Sequence, residues 1–264
     1  MRDDLSAIFV ESGERNPLKS AQRDLKRPLP KRFYKEVSVE PCEEGFGLLL
    51  DGKPVRTPAR ARLAVPSRPL AEALAEEWRA QGEDINPATM PKTRLVNTAL
   101  DGVSREMEAV TAEVAKFAGS DLICYRAGAP DSLVEAQNAA WTPVLDFARE
   151  NFGARFHCAE GVMFVEQPED SRAAILRAIA QAGQGEGGAL RLAALHLMTT
   201  LAGSVLIPLA LIHGGLDLDA AWAAAHVDED FQARSWGADD EALARRAARL
   251  MEFAAAHEVF VALA

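Results

Sequence analysis

Cys124 is the residue of this sequence whose surroundings come nearest to those of a catalytic nucleophile. It lies beside Asp121 and Tyr125, and one of the five histidines could act as its base. No local signature of a catalytic cysteine surrounds it, and most isolated cysteines are inert core residues. The other two cysteines, Cys42 and Cys158, form no CxxC pair with it. We therefore expect three free cysteines in a reducing compartment, and neither a disulfide framework nor a zinc site.

A second candidate for chemistry is the acidic run that begins at His226. On a helix, His226 and Asp230 would share a face, whereas Asp228 would point elsewhere. The sequence shows no second cluster of ligands, so a solvated acidic helix end is favoured over a metal site. No metal ion is predicted, but a helical enzyme that uses Cys124 or the His226 cluster stays open as an alternative function.

A glycine-rich stretch over residues 183–188 formally matches GxGxxG. A dinucleotide fold needs a strand before this motif, but the sequence predicts a helix there. It also lacks an acidic residue about twenty positions further on that would bind a ribose. A P-loop motif is absent as well. We therefore predict a loop between two helices and no nucleotide or other cofactor.

The segment WGADDE over residues 236–241 is the most suggestive one. Gly237 can close the preceding turn, and either of the two aspartates that follow can cap the next helix. Glu241 would then lie in the first helical turn, where the helix dipole favours a carboxylate. Physical chemistry alone favours a plain helix start with Trp236 as an anchor between two helices.

These candidates are positioned by a short β-rich region followed by helices. Residues 33–39 alternate like a strand, and residues 47–57 predict a hairpin around Asp51-Gly52, since this pair tolerates the positive φ of a tight turn. Residues 63–65 predict a further short strand. A helix follows between Ser67 and Gly82, with the acids Glu72, Glu76 and Glu77 on its exposed face.

The linker over residues 83–87 is the best domain boundary, because Asn-Pro favours an extended turn. The sequence predicts an α+β fold, with a small N-terminal β-rich domain followed by a larger all-helical C-terminal domain. The predicted parts are a loosely ordered lead-in over 1–30, a β-rich domain with one helix over 31–84, and a helical domain over 85–264.

The pattern beyond the linker is helical, with Pro143 expected to kink or restart one helix after Thr142. Residues 162–166 predict an extended connector. Residues 189–213 are apolar enough to span a bilayer on paper, but Arg191 and His196 interrupt them. A buried helical hairpin or a kinked core helix is therefore favoured, and membrane insertion through this stretch is the alternative.

The overall charge excludes one class of partner. The chain carries 29 Lys and Arg against 39 Asp and Glu, a net charge of −10. A general nucleic-acid binder needs a basic surface, so no nucleic acid is expected as a partner. The N-terminus lacks a secretory signal, and its early acids, Asp3 and Asp4 among them, are atypical of a mitochondrial presequence. We therefore expect a protein that stays in the compartment where it is made.

Four segments, in this order along the chain, resemble the ATP12 family, the assembly chaperones for the catalytic head of ATP synthase. They are EWRAQ at 77–81, MPKTRL at 90–95, DLICYR at 121–126 and WGADDE at 236–241. Any one of these motifs is weak, but four in order are fairly specific. The resemblance extends from about Arg32 to the final helix and leaves the first thirty or so residues uncovered.

The resemblance implies a β-rich N-terminal domain, a larger helical domain, and binding of the unassembled ATP synthase alpha subunit. The family's important acidic residue falls on Glu241, with Asp239 as the other acid and Trp236 beside them. These three are implied as partner-binding residues and not as catalytic ones. A chaperone of this kind needs no nucleotide, since binding free energy alone protects the client. We therefore expect a monomeric protein that is located in the bacterial cytoplasm and does not insert stably into a membrane.

Overall fold

The computed structural model describes residues 29–237 and 239–263, so nearly all of the predicted lead-in lies outside the described residues. The strands are β1 (Val37–Cys42), β2 (Gly45–Leu50), β3 (Lys53–Pro54), β4 (Ala64–Val65), β5 (Tyr125–Arg126) and β6 (Ala159–Glu160). The α-helices are α1 (Arg68–Arg79), α2 (Pro91–Asp101), α3 (Met107–Lys116), α4 (Asp131–Phe152), α5 (Glu169–Ala182), α6 (Gly188–Ala202), α7 (Leu206–Ile212), α8 (Leu218–Ala225), α9 (Val227–Trp236) and α10 (Asp240–Val261). This confirms the predicted α+β class, and the helical part also holds a short parallel ladder of β5 with β6.

The chain forms two compact units, of which the first ends at Ser104 and the second runs from Arg105 to Ala262. The predicted boundary lay earlier, between residues 84 and 85. Residues 85–104 cluster with the first unit because α2 packs against α1. The 83–87 linker therefore connects two helices within one unit.

The first unit is built on the predicted hairpin. Leu50 of β2 pairs with Lys53 of β3, and the two residues between them, Asp51 and Gly52, have φ of +46° and +75°. Both values fit the tight turn that Asp-Gly favours, so the hairpin prediction is confirmed. β1 and β4 pair with β2 on its two sides, and α1 packs on this sheet.

Helix α1 begins as its sequence predicts, with the Ser67 hydroxyl accepting a hydrogen bond from the Leu70 amide at 3.4 Å. Its acids do not all face solvent, however. The prediction for Glu77 is wrong, since this carboxylate is buried and accepts hydrogen bonds from the Lys92 amide and from both the amide and the hydroxyl of Thr93, each at 2.8 Å. Burial raises the pKa of Glu77, and these hydrogen bonds oppose that rise. The carboxylate caps α2, whose own N-cap residue supplies no side-chain hydrogen bond.

Replacing Glu77 with glutamine should lower the free energy of unfolding by about 2 kcal/mol, because an amide nitrogen would then face a buried donor. Urea unfolding of both proteins measures this difference. Glu76→Gln is the matched control, because Glu76 forms only an exposed ion pair with Arg79 and should change stability by less than about 1 kcal/mol. Equal effects of the two substitutions would contradict the capping role of Glu77.

The second unit is organised around α6, which packs against α3, α5, α7 and α10. Leu192, Ala194, Leu195 and Met198 of α6 are buried, as is usual for a helix that is apolar on all sides. Gly203, with φ of +65°, separates α6 from α7. The predicted buried helical pair over residues 189–213 is thereby confirmed. Over the part of the chain that the structure describes, no helix is long and apolar enough to cross a membrane.

Helix α4 runs through Pro143 without restarting, so the predicted restart after Thr142 does not occur. Proline removes one backbone donor and leaves the carbonyl of Ala139 without its usual partner. Because Ala139 is exposed, water can satisfy that carbonyl. The helix therefore continues across the proline.

Candidate functional site at the tip of α9 and α10

Of the four segments that carry the family resemblance, three are built into the two cores. The first two form the Glu77 cap of α2. In the third, the buried Asp121 accepts hydrogen bonds from the amides of Val205 (2.8 Å) and Leu206 (3.2 Å) at the start of α7, and from the Ile123 amide (3.3 Å). Burial raises the pKa of Asp121 to about 6, against the opposing effect of these bonds and of the Ser204 hydroxyl. These segments hold the fold together.

Cys124 is buried, and burial raises the pKa of its thiol well above the usual range, with the nearby Asp121 adding to the rise. A thiol that stays protonated is a poor nucleophile. The geometry of Cys124 therefore favours the core role over catalysis.

The residues of the acidic run at His226 each interact with a different part of the second unit. The His226 ring contacts the Trp222 carbonyl at 2.9 Å, and burial lowers its pKa. Asp228 accepts a hydrogen bond from Gln137 at 2.7 Å. Asp230 forms an ion pair across to α10, as described below. Within the ranges 29–237 and 239–263, no group of three metal-binding side chains lies close enough together to hold an ion.

The glycine-rich stretch is the predicted connection between α5 and α6. Arg191 closes it by donating to the carbonyls of Ala182 (2.9 Å), Gln184 and Glu186 (3.1 Å). The guanidinium thus satisfies the last carbonyl of α5 and two carbonyls of the connecting loop, which explains a charge at the start of an otherwise apolar helix.

The fourth segment differs from the other three because it lies on the surface. Trp236 is the last residue of α9 and is 88% exposed. The interpretation of Trp236 as an anchor between two helices is therefore wrong. Gly237 follows with φ of +83°, a backbone conformation that glycine adopts without strain, and directs the chain into α10. A large aromatic ring left in water is unusual in a folded chain and is typical of a binding surface.

The two acids at this tip have different tasks. Asp239 caps α10 by accepting from the Ala242 amide at 2.7 Å, as the sequence predicts. Glu241 lies in the first turn with 83% of its side chain exposed, and it forms an ion pair at 2.5 Å with Arg245, whose side chain is 62% exposed. Its carboxylate is accordingly available to a partner, while that of Asp239 is engaged in the cap.

The end of α9 and the first half of α10 lie at the surface of the second unit. Between Asp240 and Glu252 of α10, none of the described side chains is buried, whereas Phe253, Ala256 and Val259 further on are. The exposed half is tied to α9 by an ion pair of Arg246 with Asp230. It is also tied to α6, where Arg249 donates to the Leu201 carbonyl at 2.9 Å. We call the surface formed by Trp236, Asp239 and Glu241 the helical tip.

Sequence reasoning missed a second exposed apolar feature. Val162, Met163 and Phe164 are 94%, 77% and 71% exposed in the connection between β6 and α5. The sequence predicted only an extended connector there. An apolar run of this length is typical of a buried strand, so nothing local indicated its exposure.

Comparison with known proteins agrees with this architecture. A family model described as the ATP12 chaperone protein matches residues 31–149. The protein atp12, mitochondrial, of Schizosaccharomyces pombe is 22% identical over 235 residues, which are 84% of this chain and 79% of that protein.

Two crystal structures resemble the whole fold. The Atu1473 protein of Agrobacterium tumefaciens is 48% identical with a TM-score of 0.86, and the match covers 99% of this chain and 97% of that one. Atp12 of Paracoccus denitrificans is 36% identical with a TM-score of 0.81, over 89% of this chain and 99% of that one. The class of protein that these matches define is a chaperone. In particular, the chain belongs to the ATP12 chaperone family.

Proposed function

We propose that this chaperone binds the unassembled alpha subunit of ATP synthase, masks the surface that faces the beta subunit, and so supports assembly of the catalytic head. The observation that carries the proposal is the exposure of both Trp236 and the Glu241 carboxylate at the helical tip. An unassembled subunit exposes apolar surface that its neighbour would otherwise cover. An aromatic ring with an adjacent acid suits an apolar patch that has basic groups at its rim.

The chaperone acts by binding alone and not as an enzyme. A protein that binds the exposed form of a client lowers the concentration available for aggregation, with no need for nucleotide hydrolysis or a cofactor. The net charge of −10 disfavours association with a second copy, which supports a monomer. We place this activity in the bacterial cytoplasm, where the alpha subunit is made, with no nucleic acid or membrane as a partner.

Immobilised chaperone should retain the isolated alpha subunit from solution without added nucleotide, and it should not retain the assembled catalytic head, whose alpha subunits are already covered. Added beta subunit should release the captured alpha subunit, because both bind the same surface. A pull-down with purified subunits measures all three outcomes. No retention, or equal retention of the assembled head, would contradict the proposal.

A further inference from the structure

The connection between α4 and α5 contains a loop over residues 158–166, which we call the apolar loop. Its tip consists of the exposed residues Val162, Met163 and Phe164. Large apolar side chains that are consecutive and exposed mark either an interaction site or an aggregation liability. Gly161, with φ of +77°, begins the tip, and its amide donates to the Arg126 carbonyl at 2.8 Å.

The base of the apolar loop is held by two buried polar side chains. Gln167 accepts from the His157 amide and donates to the His157 carbonyl, both at 2.8 Å. Ser171 makes the same pair of bonds with the backbone of Arg155, at 2.8 and 2.7 Å. Each side chain thereby links the chain segment that enters the loop to the segment that leaves it. The tip is therefore displayed on a fixed base, which reduces the entropy lost when a partner covers it.

Within the apolar loop and the first two residues of α5 the charged side chains have one sign, and the nearest basic residues along the chain, Arg155 and Arg172, lie just outside this stretch. Between residues 158 and 170 there are four acids and no Lys or Arg. The four acids are Glu160, Glu166, Glu169 and Asp170, and all are exposed. The apolar loop thus presents an apolar tip with an acidic rim, and the helical tip likewise exposes an apolar side chain and acids, of which Glu241 is paired with Arg245.

We propose that the apolar loop is a second docking element for the client, and that its tip inserts into an apolar pocket of the client with a basic rim. This inference rests on the proposed function, because it takes the unassembled alpha subunit as the occupant. The acidic rim favours this occupant over two others. An anionic lipid surface would repel the four acids, and a second copy of a chain with net charge −10 would do the same.

A photo-cross-linking residue placed at Phe164 in the full chain tests the contact directly. On mixing with isolated alpha subunit and irradiation, the cross-link should form to that subunit. A cross-link to a second copy of the chaperone would overturn the inference. Sedimentation of the wild-type chain with anionic phosphatidylglycerol vesicles, abolished by changes at the tip, would overturn it as well.

The double substitution Met163→Ser with Phe164→Ser should weaken capture of the alpha subunit roughly tenfold or more, as expected for the central residues of an interface. Leu176→Ser is the matched control, because Leu176 is an exposed apolar residue of α5 outside the loop. Thermal melting establishes that both variants fold. If the wild type captures the subunit and the double variant does so equally well, the inference fails while the proposed function stands. If the wild type itself captures nothing, the proposed function fails first.

Discussion

Replacing Asp121 with alanine should lower the free energy of unfolding by about 3–5 kcal/mol, the largest effect on stability that we expect from a single polar residue of this chain. The carboxylate accepts hydrogen bonds from the backbone amides of Ile123, Val205 and Leu206. Alanine would leave these donors buried and without a partner. The N-cap residue of α7, Val205, makes no side-chain hydrogen bond, so Asp121 caps this helix start together with the Ser204 hydroxyl, which accepts from the Ile207 amide at 3.2 Å.

Chemical denaturation of the wild type and the variant at neutral pH measures the loss. Asp217→Ala is the matched control, because Asp217 caps α8 through the Ala220 amide at an exposed position. A cap of that kind contributes only about 1 kcal/mol. If Asp121→Ala were no more harmful than Asp217→Ala, the burial of the Asp121 network would not matter for stability.

The difference in stability between the wild type and Asp121→Ala should also depend on pH, in a direction that the pKa of Asp121 determines. Burial raises the pKa of Asp121 from its usual value of 3.8 to about 6 in the folded chain. Between these two values the folded state binds a proton that the unfolded state has released, so the contribution of Asp121 to stability falls as the pH rises through this window. The stability advantage of the wild type over Asp121→Ala should therefore be larger at about pH 4 than at about pH 7. An advantage that grows with pH would show that the hydrogen bonds outweigh burial.

Much of the local structure could be predicted because it depends on residues close together in sequence. The Asp51-Gly52 turn, the Ser67 cap of α1 and the Asp239 cap of α10 each use atoms within a few positions. The caps of α2 and α7 could not be predicted in this way, since their carboxylates come from Glu77 and Asp121, the latter 84 positions from Val205. No pattern local to either helix start contains that information.

The same contrast holds at the candidate site, where local features could be predicted from the sequence and the exposure of side chains could not. The sequence predicted that Asp239 or Asp240 caps α10 and that Glu241 lies in its first turn, which the structure has with Asp239 as the cap, but it assigned Trp236 to a packed position. The local sequence around a tryptophan at a helix end is the same whether or not a neighbouring element covers the ring. The helical tip is uncovered because only the second half of α10 packs into the core of the unit. The apolar loop was missed for a related reason, because its own residues do not indicate whether a neighbouring element covers them.

Glu241→Lys and Trp236→Ala should each weaken capture of the alpha subunit roughly tenfold or more, while the free energy of unfolding changes by less than about 1 kcal/mol. Both side chains are exposed, so the fold loses little when they change. A partner with a basic rim would lose an attractive charge and gain a repulsive one with lysine, and it would lose the aromatic contact with alanine.

The chain offers a closely matched control for the charge reversal. Asp219 occupies the same place in α8 as Glu241 does in α10, the second residue of a helix capped by an aspartate, and it is exposed. Asp219→Lys therefore makes the same change in net charge and the same change at a helix N-terminus. Capture is measured by titrating immobilised variants with alpha subunit, alongside thermal melting. If Asp219→Lys weakened capture as much as Glu241→Lys, overall charge would explain the effect and the helical tip would not be the binding surface. If only the changes at Glu241 and Trp236 did so, binding would depend on the tip itself.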